Sequence, residues 1–165
     1  IKVLEKQLVN LVGNVLLGAG YISYVGTFTQ TYRVTLLKSW MKHLTENNIP
    51  FSHDFSLETQ LGDPVLIREW CIKGLPADNL SVANGIIATT SKRWPLIIDP
   101  QSQGNKWIKN LEKANNLKII KLSNSKFLNI VDSSIRMGFP VLLENIEEKL
   151  DPSLEPILTK SIVKV

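Results

Sequence analysis

The chain has 165 residues, 44% of them hydrophobic, and a formal charge of +4. This length and composition suit one domain, or part of a larger protein, with a hydrophobic core of its own. The lysines are spread along the chain rather than gathered beside aromatic residues, so we expect no nucleic-acid partner. The single cysteine, Cys71, excludes an internal disulfide and fits a reducing, intracellular setting. Neither a signal peptide at residue 1 nor an uninterrupted apolar run of about 18 residues is present, so we expect no membrane partner.

Residues 1–50 predict a helical hairpin. The first helix has apolar residues at three- and four-residue spacing on one face, namely Leu4, Leu8, Leu11, Val12, Val15 and Leu16. The second helix, over about 29–46, ends before Pro50 and is expected to bury Val34, Leu37, Met41 and Leu44. Close approach of the two helices is permitted by small residues in the first, namely Gly18, Ala19, Gly20 and Ser23.

Residues 51–62 are polar and predict a loop. Asp63 followed by Pro64 is typical of a helix start, with the aspartate as N-cap, and predicts a helix to about residue 72. Ser81 is expected to cap a further helix over about 82–89.

From Arg93 onward, apolar strands alternate with helices. The predicted strands are 96–98, 117–122 and 140–146, and the predicted helices are 105–114, 125–137 and one that begins at 151–152. Such alternation predicts an α/β fold, a three-layer αβα domain with a parallel sheet covered on both faces. A ligand crevice is expected at the carboxyl ends of its strands.

The segment 95–106 is laid out like a phosphate-binding loop whose working residues are missing. A functional loop has a glycine, four residues, a second glycine, a lysine and then a hydroxyl residue. Here Asp99 stands at the first glycine, and Gly104 keeps the second. Asn105 takes the lysine position and Lys106 the hydroxyl position. A carboxylate at the loop entrance repels phosphate, so we expect this loop to have lost its nucleotide-binding function.

The strand predicted over 140–146 ends in an acid, as does the strand that carries the magnesium ligand and the catalytic glutamate of ATPases. Glu144 fits the metal-binding acid, whereas Asn145 stands where a glutamate would activate water, and an amide cannot accept that proton. We therefore predict a degenerate, non-functional nucleotide site with no catalytic residue. It comprises Asp99, Gly104, Asn105, Lys106, Glu144 and Asn145. The two histidines have no paired ligand spacing, so no metal site is predicted.

Several stretches closely resemble dynein heavy chains. They are Gly-Asp-Pro-Val at 62–65, Gly-Leu-Pro-Ala-Asp-Asn at 74–79, Arg-Trp-Pro-Leu-Ile-Ile-Asp-Pro-Gln at 93–101, Asn-Lys-Trp-Ile-Lys-Asn at 105–110 and Pro-Val-Leu-Leu-Glu-Asn at 140–145. The match is to the fifth AAA+ module of the motor ring, and residues 105–110 are similar to axonemal rather than cytoplasmic chains. Residues 13–24 and 28–33 resemble the segment where the returning stalk helix enters that module.

This resemblance implies that residues 1–50 are the end of the stalk coiled coil and the entry to the module. Residues 51–165 would be a partial AAA+ large subdomain without its C-terminal strands and lid. The parent would be an ATP-driven, minus-end-directed microtubule motor of cilia and flagella, and the fifth module would be structural. No cofactor is expected for this segment, with ATP and magnesium bound in other modules of the parent.

The implied partners are the neighbouring AAA+ modules of the same chain, the microtubule through the stalk, and dynein intermediate and light chains. The implied location is the cytoplasm and cytoskeleton, in the axoneme of a cilium. Two alternatives stay open at this point. Lys106 could replace the missing loop lysine by a one-residue slip in a working or regulatory site, or the chain could be an unrelated α/β binding domain. We also expect Trp107 to be buried and the hairpin to dock on the α/β part.

Overall fold

The computed structural model describes residues 2–146 and 148–161. The predicted domains begin at Ile1 and end at Val165, which lie outside the described residues. The chain divides into two compact units, with the boundary between Pro95 and Leu96. Residue 50, the predicted boundary between the helical hairpin and the AAA+ part, lies inside the first unit, because Phe51 and Phe55 pack against the first two helices. Within the described residues, no helix combines the length and apolar character needed to cross a membrane.

The first unit is helical. Its helices are α1 (Lys2–Tyr24), α2 (Gln30–Glu46), α3 (Leu57–Leu61), α4 (Pro64–Ile72) and α5 (Asn79–Thr90). Helix α1 contacts α2 and α3, and α3 contacts α5. A core of Leu17, Phe51 and Phe55 packs against partly buried residues of α2, namely Leu37, Trp40, Met41 and Leu44. Three of the four core positions expected in α2 are therefore confirmed, whereas Val34 is 41% exposed.

Helix α1 buries a different face from the one that its leucine spacing suggests. The six apolar residues of the expected face are each between 49% and 71% exposed. The side of α1 that packs carries Gly13, Asn14, Leu17 and Tyr21, again at three- and four-residue spacing, and Val25 directly after the helix continues it. Asn14 accepts a hydrogen bond from the Ser52 backbone N–H at 2.8 Å and donates to the Ser52 hydroxyl at 3.0 Å. The helix therefore has one packed face with a polar anchor, and one apolar face that the described residues leave exposed.

Local capping explains where the shorter helices begin. The segment predicted as a loop contains α3, whose capping box joins Ser56 to Thr59, where a threonine replaces the more usual Glu or Gln. Helix α4 begins as predicted, with the Asp63 carboxylate accepting from the Val65 N–H at 2.8 Å. The predicted cap of α5 is wrong by one turn. Asp78 is the N-cap, and Ser81 donates to its carboxylate from both the backbone, at 3.0 Å, and the hydroxyl, at 2.6 Å.

The second unit contains a short parallel sheet. Its elements are α6 (Gln103–Leu111), β1 (Lys118–Lys121), α7 (Phe127–Met137), β2 (Val141–Glu144) and α8 (Glu155–Leu158), with a 3₁₀ turn at Pro152–Leu154. Strands β1 and β2 pair in parallel, from Lys118 opposite Val141 to Lys121 opposite Glu144. Helix α7 is the crossover and ends at Gly138, whose φ of +70° suits glycine. The predicted β–α–β order is therefore confirmed, in an α/β unit with a core of Ile120, Phe127, Val131 and Leu154.

The predicted strand over 96–98 is wrong for the residues that the structure describes. This segment is not assigned to a strand, and the sheet has two strands, β1 and β2. Leu96 and Ile98 are 74% and 82% exposed. An apolar run becomes a strand only where a neighbouring strand completes its hydrogen bonds, and the described residues provide none beside it.

Candidate functional site

The loop that precedes α6 is organised around the side chain of Asp99. One carboxylate oxygen, Oδ1, accepts from the Gln103 N–H at 3.0 Å, and the other, Oδ2, accepts from the Asn105 N–H at 2.8 Å. Ser102, directly before the helix, has a φ of +56°, which turns the chain so that the first N–H groups face the carboxylate. The N–H groups at the start of a helix are the donors that hold phosphate in nucleotide sites. Here an anion from the chain itself occupies those donors.

Gly104 allows this loop to pass close to the residues that precede it. A Cβ atom at this position would lie 3.3 Å from Ile97 Cγ2 and 3.5 Å from Asp99 Oδ2. A larger side chain would push the carboxylate away from the helix start. The glycine therefore lets the Asp99 carboxylate lie at the start of the helix, rather than leaving room for a ligand.

The second acid of the site, Glu144, lies at the end of β2 and is paired within the chain. Its Oε1 atom lies 2.6 Å from Lys109 Nζ and accepts a hydrogen bond from Asn105 Nδ2 at 2.8 Å. The hydrogen bond from Lys109, followed by that from Asn105, holds the pKa of Glu144 below its ordinary value of 4.5. The glutamate side chain is 15% exposed and the lysine side chain 38%. A lysine thus balances the charge that a magnesium ion balances in a working site.

Asn105 connects the two acids. Its backbone N–H binds Asp99 and its side-chain amide binds Glu144, so the loop is tied to the end of β2. The structure therefore brings together four of the six residues singled out from the sequence: Asp99, Gly104, Asn105 and Glu144.

The other two lie apart from this network. Lys106 is exposed, and none of the ion pairs among the described residues includes it. Asn145 is exposed too, with a φ of +55°. No group of three or more histidine, cysteine or acidic side chains able to hold a metal occurs in the part of the chain described.

Lys109 was not predicted as a site residue from the sequence. The available signal was its spacing, because residues four apart on a helix share a face, and Lys109 follows Asn105 by one turn of α6. The expectation for Trp107 is confirmed, since its side chain is 2% exposed, whereas Trp94 is 56% exposed. Helix α6 thus carries both the buried Trp107 and the lysine that pairs with Glu144.

Parallel β–α–β units with polar residues at the carboxyl ends of their strands are typical of α/β proteins that bind ligands at that edge of the sheet. The family described as the ATP-binding dynein motor region matches residues 68–165. Over 161 residues the chain is 51% identical to dynein axonemal heavy chain 1 of Homo sapiens, and over 158 residues it is 50% identical to dynein axonemal heavy chain 6 of the same species. These alignments cover 98% and 96% of this chain and 4% of each relative.

A more distant relative, dynein axonemal heavy chain 2 of Homo sapiens, is 45% identical over 163 residues, which is 98% of this chain and again 4% of the relative. The chain therefore belongs to the dynein motor region family. It spans about 4% of the length of these curated relatives.

Proposed function

We propose that this chain is a structural, non-catalytic AAA+ module, the fifth of the motor ring, in an axonemal dynein heavy chain. The parent would be an ATP-driven, minus-end-directed microtubule motor. The observation that carries the proposal is the Asp99 carboxylate, which accepts from the Gln103 and Asn105 N–H groups at 3.0 and 2.8 Å. A phosphate would have to displace this internal anion and then overcome its repulsion.

The second half of the site supports the same function. ATP hydrolysis needs a metal at the acid that ends the strand and a base that activates water. Glu144 is already paired with Lys109 at 2.6 Å, and the next residue, Asn145, is an amide that cannot accept a proton. Two independent requirements for turnover are therefore unmet. We propose that no cofactor binds this module, with ATP and magnesium bound in other modules of the parent chain.

The proposed task is mechanical: α1 joins the stalk to the ring, and the module transmits rigid-body shifts. The exposed apolar face of α1 supports this role, since such a stripe suits a coiled-coil partner helix. It consists of Leu4, Leu8, Leu11, Val12, Val15 and Leu16, with Val9 beside it. The close approach of α1 to α2 also fits, because a Cβ at Gly20 would lie 3.2 Å from the Trp40 ring.

The proposed partners follow from this position in the parent. They are the neighbouring modules of the same chain, the microtubule through the stalk, and the intermediate and light chains of the complex. The names of the relatives place those proteins in the axoneme, and we propose the same ciliary, cytoskeletal location here.

The coupling role can be tested in the full-length motor with Gly20→Leu. The larger side chain meets the Trp40 ring and should force the two helices apart, at a cost of ~1–3 kcal/mol. We expect microtubule-stimulated ATPase to fall more than basal ATPase, because communication is damaged while the catalytic module is remote. Equal loss of both rates would indicate misfolding. A folded variant with both rates unchanged would contradict the coupling role.

The second candidate function, a nucleotide site that uses Lys106, makes an opposite prediction. Lys106→Ala should abolish nucleotide-dependent regulation if that lysine holds phosphate. Under the structural proposal it should leave basal and stimulated ATPase unchanged, since its side chain is exposed and outside the Glu144 network. Lys38→Ala, at an exposed position on α2, is the matched control for the loss of one charge.

A further inference from the structure

Arg33, on the first turns of α2, is buried, and no acidic side chain among the described residues forms an ion pair with it. It is 2% exposed. Its Nε–H group donates to the Phe28 carbonyl oxygen at 2.8 Å, and its Nη2 group donates to the Gly26 carbonyl oxygen at 2.9 Å. Its third nitrogen, Nη1, is buried with no hydrogen-bond partner in the described part of the chain. Two backbone carbonyls therefore stand in for a counter-ion.

The geometry of the guanidinium group explains what these contacts do. Nε and Nη2 lie on one edge of a rigid, planar group, so their N–H bonds point in fixed, nearly parallel directions. The carbonyls of Gly26 and Phe28, two residues apart, are held side by side on that edge. Burial of a charge without a charged partner is unfavourable, and an apolar side chain would fill the same space without this cost. The contribution specific to arginine is its hold on the two carbonyls.

These carbonyls belong to the short connection between the two long helices. Helix α1 ends at Tyr24 and α2 begins at Gln30. Within the connection, the Phe28 N–H donates to the Val25 carbonyl at 2.9 Å, and Val25 is fully buried. Arg33 therefore fixes the connection from the α2 side, while Val25 anchors it at the end of α1. A shift of α1 cannot be taken up in residues 25–29 without breaking these bonds.

We propose that Arg33 is a positioning residue that makes the connection over residues 25–29, here called the joint, rigid. A displacement of α1 then reaches α2. The inference rests on the proposed coupling function, because a rigid joint matters only if a displacement has to be transmitted. It adds to that function the residue that prevents the joint from absorbing the motion, since a hinge would need backbone freedom in this connection.

The test uses the full-length motor chain with three variants. Arg33→Met keeps the length of the stem and removes the donors. Arg33→Lys keeps the charge but cannot span both carbonyls with one planar edge. Lys38→Met removes a positive charge from an exposed position on the same helix and is the matched control.

The first readout is amide hydrogen exchange at Phe28 and its neighbours. We expect it to accelerate about tenfold or more in Arg33→Met, because loss of a hydrogen bond to a charged group shifts an opening equilibrium by roughly that factor. Lys38→Met should match the wild type, and amides of α4 and β1 should be unchanged in every variant. Wild-type exchange at Phe28 in Arg33→Met would overturn the inference. If Arg33→Met loosens the whole chain, Arg33→Lys decides: faster exchange confined to the joint supports the inference, and wild-type exchange overturns it.

The second readout separates this inference from the proposed function. A loosened joint should lower the microtubule-stimulated kcat and leave basal ATPase unchanged, which a merely structural residue would not do. If exchange at the joint rises while both rates stay at wild-type values, the joint does not transmit motion and the inference is overturned. If Gly20→Leu also has no effect on either rate, the proposed coupling function is contradicted with it. A response to Gly20→Leu alone would retain that function and reject only the role of Arg33.

Discussion

In the joint of the first unit and in the loop of the second unit, one charged side chain binds two backbone groups. In the joint, the Arg33 cation is held by backbone carbonyls, and in the loop, the Asp99 anion is held by backbone N–H groups. They differ in burial, because Arg33 is 2% exposed and Asp99 is partly exposed. A fully buried charge depends on the groups that bind it, because loss of these partners leaves the charge unpaired and away from water, so such a charge suits a permanent structural contact. A partly exposed charge at a helix start is open to competition from a ligand, and under the proposed function Asp99 closes the nucleotide site from within the chain.

The largest effect is expected from the packing beside the loop. Trp107→Ala should destabilise the second unit by ~3–5 kcal/mol, because it removes a large buried side chain and leaves a cavity. The matched variant Trp94→Ala, at a side chain that is 56% exposed, should cost less than about 1 kcal/mol. Urea unfolding of both variants measures the effect, because Trp94 lies in the first unit and Trp107 in the second. Equal losses for the two variants would show that stability does not depend on the burial of Trp107.

The next largest effect is expected from alanine substitutions at two glycines of α1 in the first unit. A Cβ at Gly13 would overlap the Pro50 carbonyl oxygen and lie 2.7 Å from Phe51 Cβ, whereas a Cβ at Gly18 would meet nothing within 4 Å. Gly13→Ala should therefore destabilise by ~1–3 kcal/mol through overpacking. Gly18→Ala should stabilise by roughly 0.5–1 kcal/mol, since alanine suits a helix interior better than glycine. Urea unfolding of the two variants gives the comparison. The same sign of change for both would contradict the packing described for α1.

A smaller effect concerns the pH dependence of the loop. The pKa of Glu144 is held below its ordinary value of 4.5 in the folded protein. The stability that this group contributes is therefore fully present above its unfolded-state pKa and is lost as the pH falls through the folded-state pKa. Glu144→Gln should cost about 1 kcal/mol at pH 7.

The difference between wild type and Glu144→Gln should shrink as the pH is lowered below about 4.5. Part of the acid sensitivity should remain in the variant, because hydrogen bonds also lower the pKa of Asp78 and Asp151. Unfolding free energies measured from pH 7 to pH 3 provide the test. A difference that stays constant over this range would show that Lys109 and Asn105 do not stabilise the ionised glutamate.

Elements with local signals were predictable from the sequence, and those that depend on distant partners were not. Asp63 with Pro64 and the glycine at 138 mark helix ends by themselves, and both ends are confirmed. The segment 96–98 has the composition of a strand, but pairing depends on residues elsewhere in the chain. On α1, both faces have helical spacing, so periodicity alone could not show that the face with Gly13 and Leu17 packs.

The candidate site follows the same division. The positions of Asp99, Asn105 and Glu144 could be inferred from the resemblance to a phosphate-binding loop and its acidic strand. That Asp99 caps the helix, rather than only repelling phosphate, depends on the left-handed turn at Ser102. The ion pair of Lys109 with Glu144 depends on how α6 lies beside β2. Neither feature has a local sequence signal strong enough to predict it.

The central claim is that the Asp99 carboxylate occupies the N–H groups that would otherwise bind phosphate. A calorimetric titration with Mg-ATP tests it most directly. The wild-type 165-residue segment, titrated apart from the ATP-binding modules proposed for the parent, should bind no more tightly than about 1 mM, because Asp99 takes the helix N–H groups and Lys109 neutralises Glu144. The triple variant Asp99→Gly, Asn105→Lys and Lys106→Thr should bind measurably tighter, since it frees those donors and restores the lysine and hydroxyl of a phosphate-binding loop. A micromolar dissociation constant for the wild type would contradict the claim.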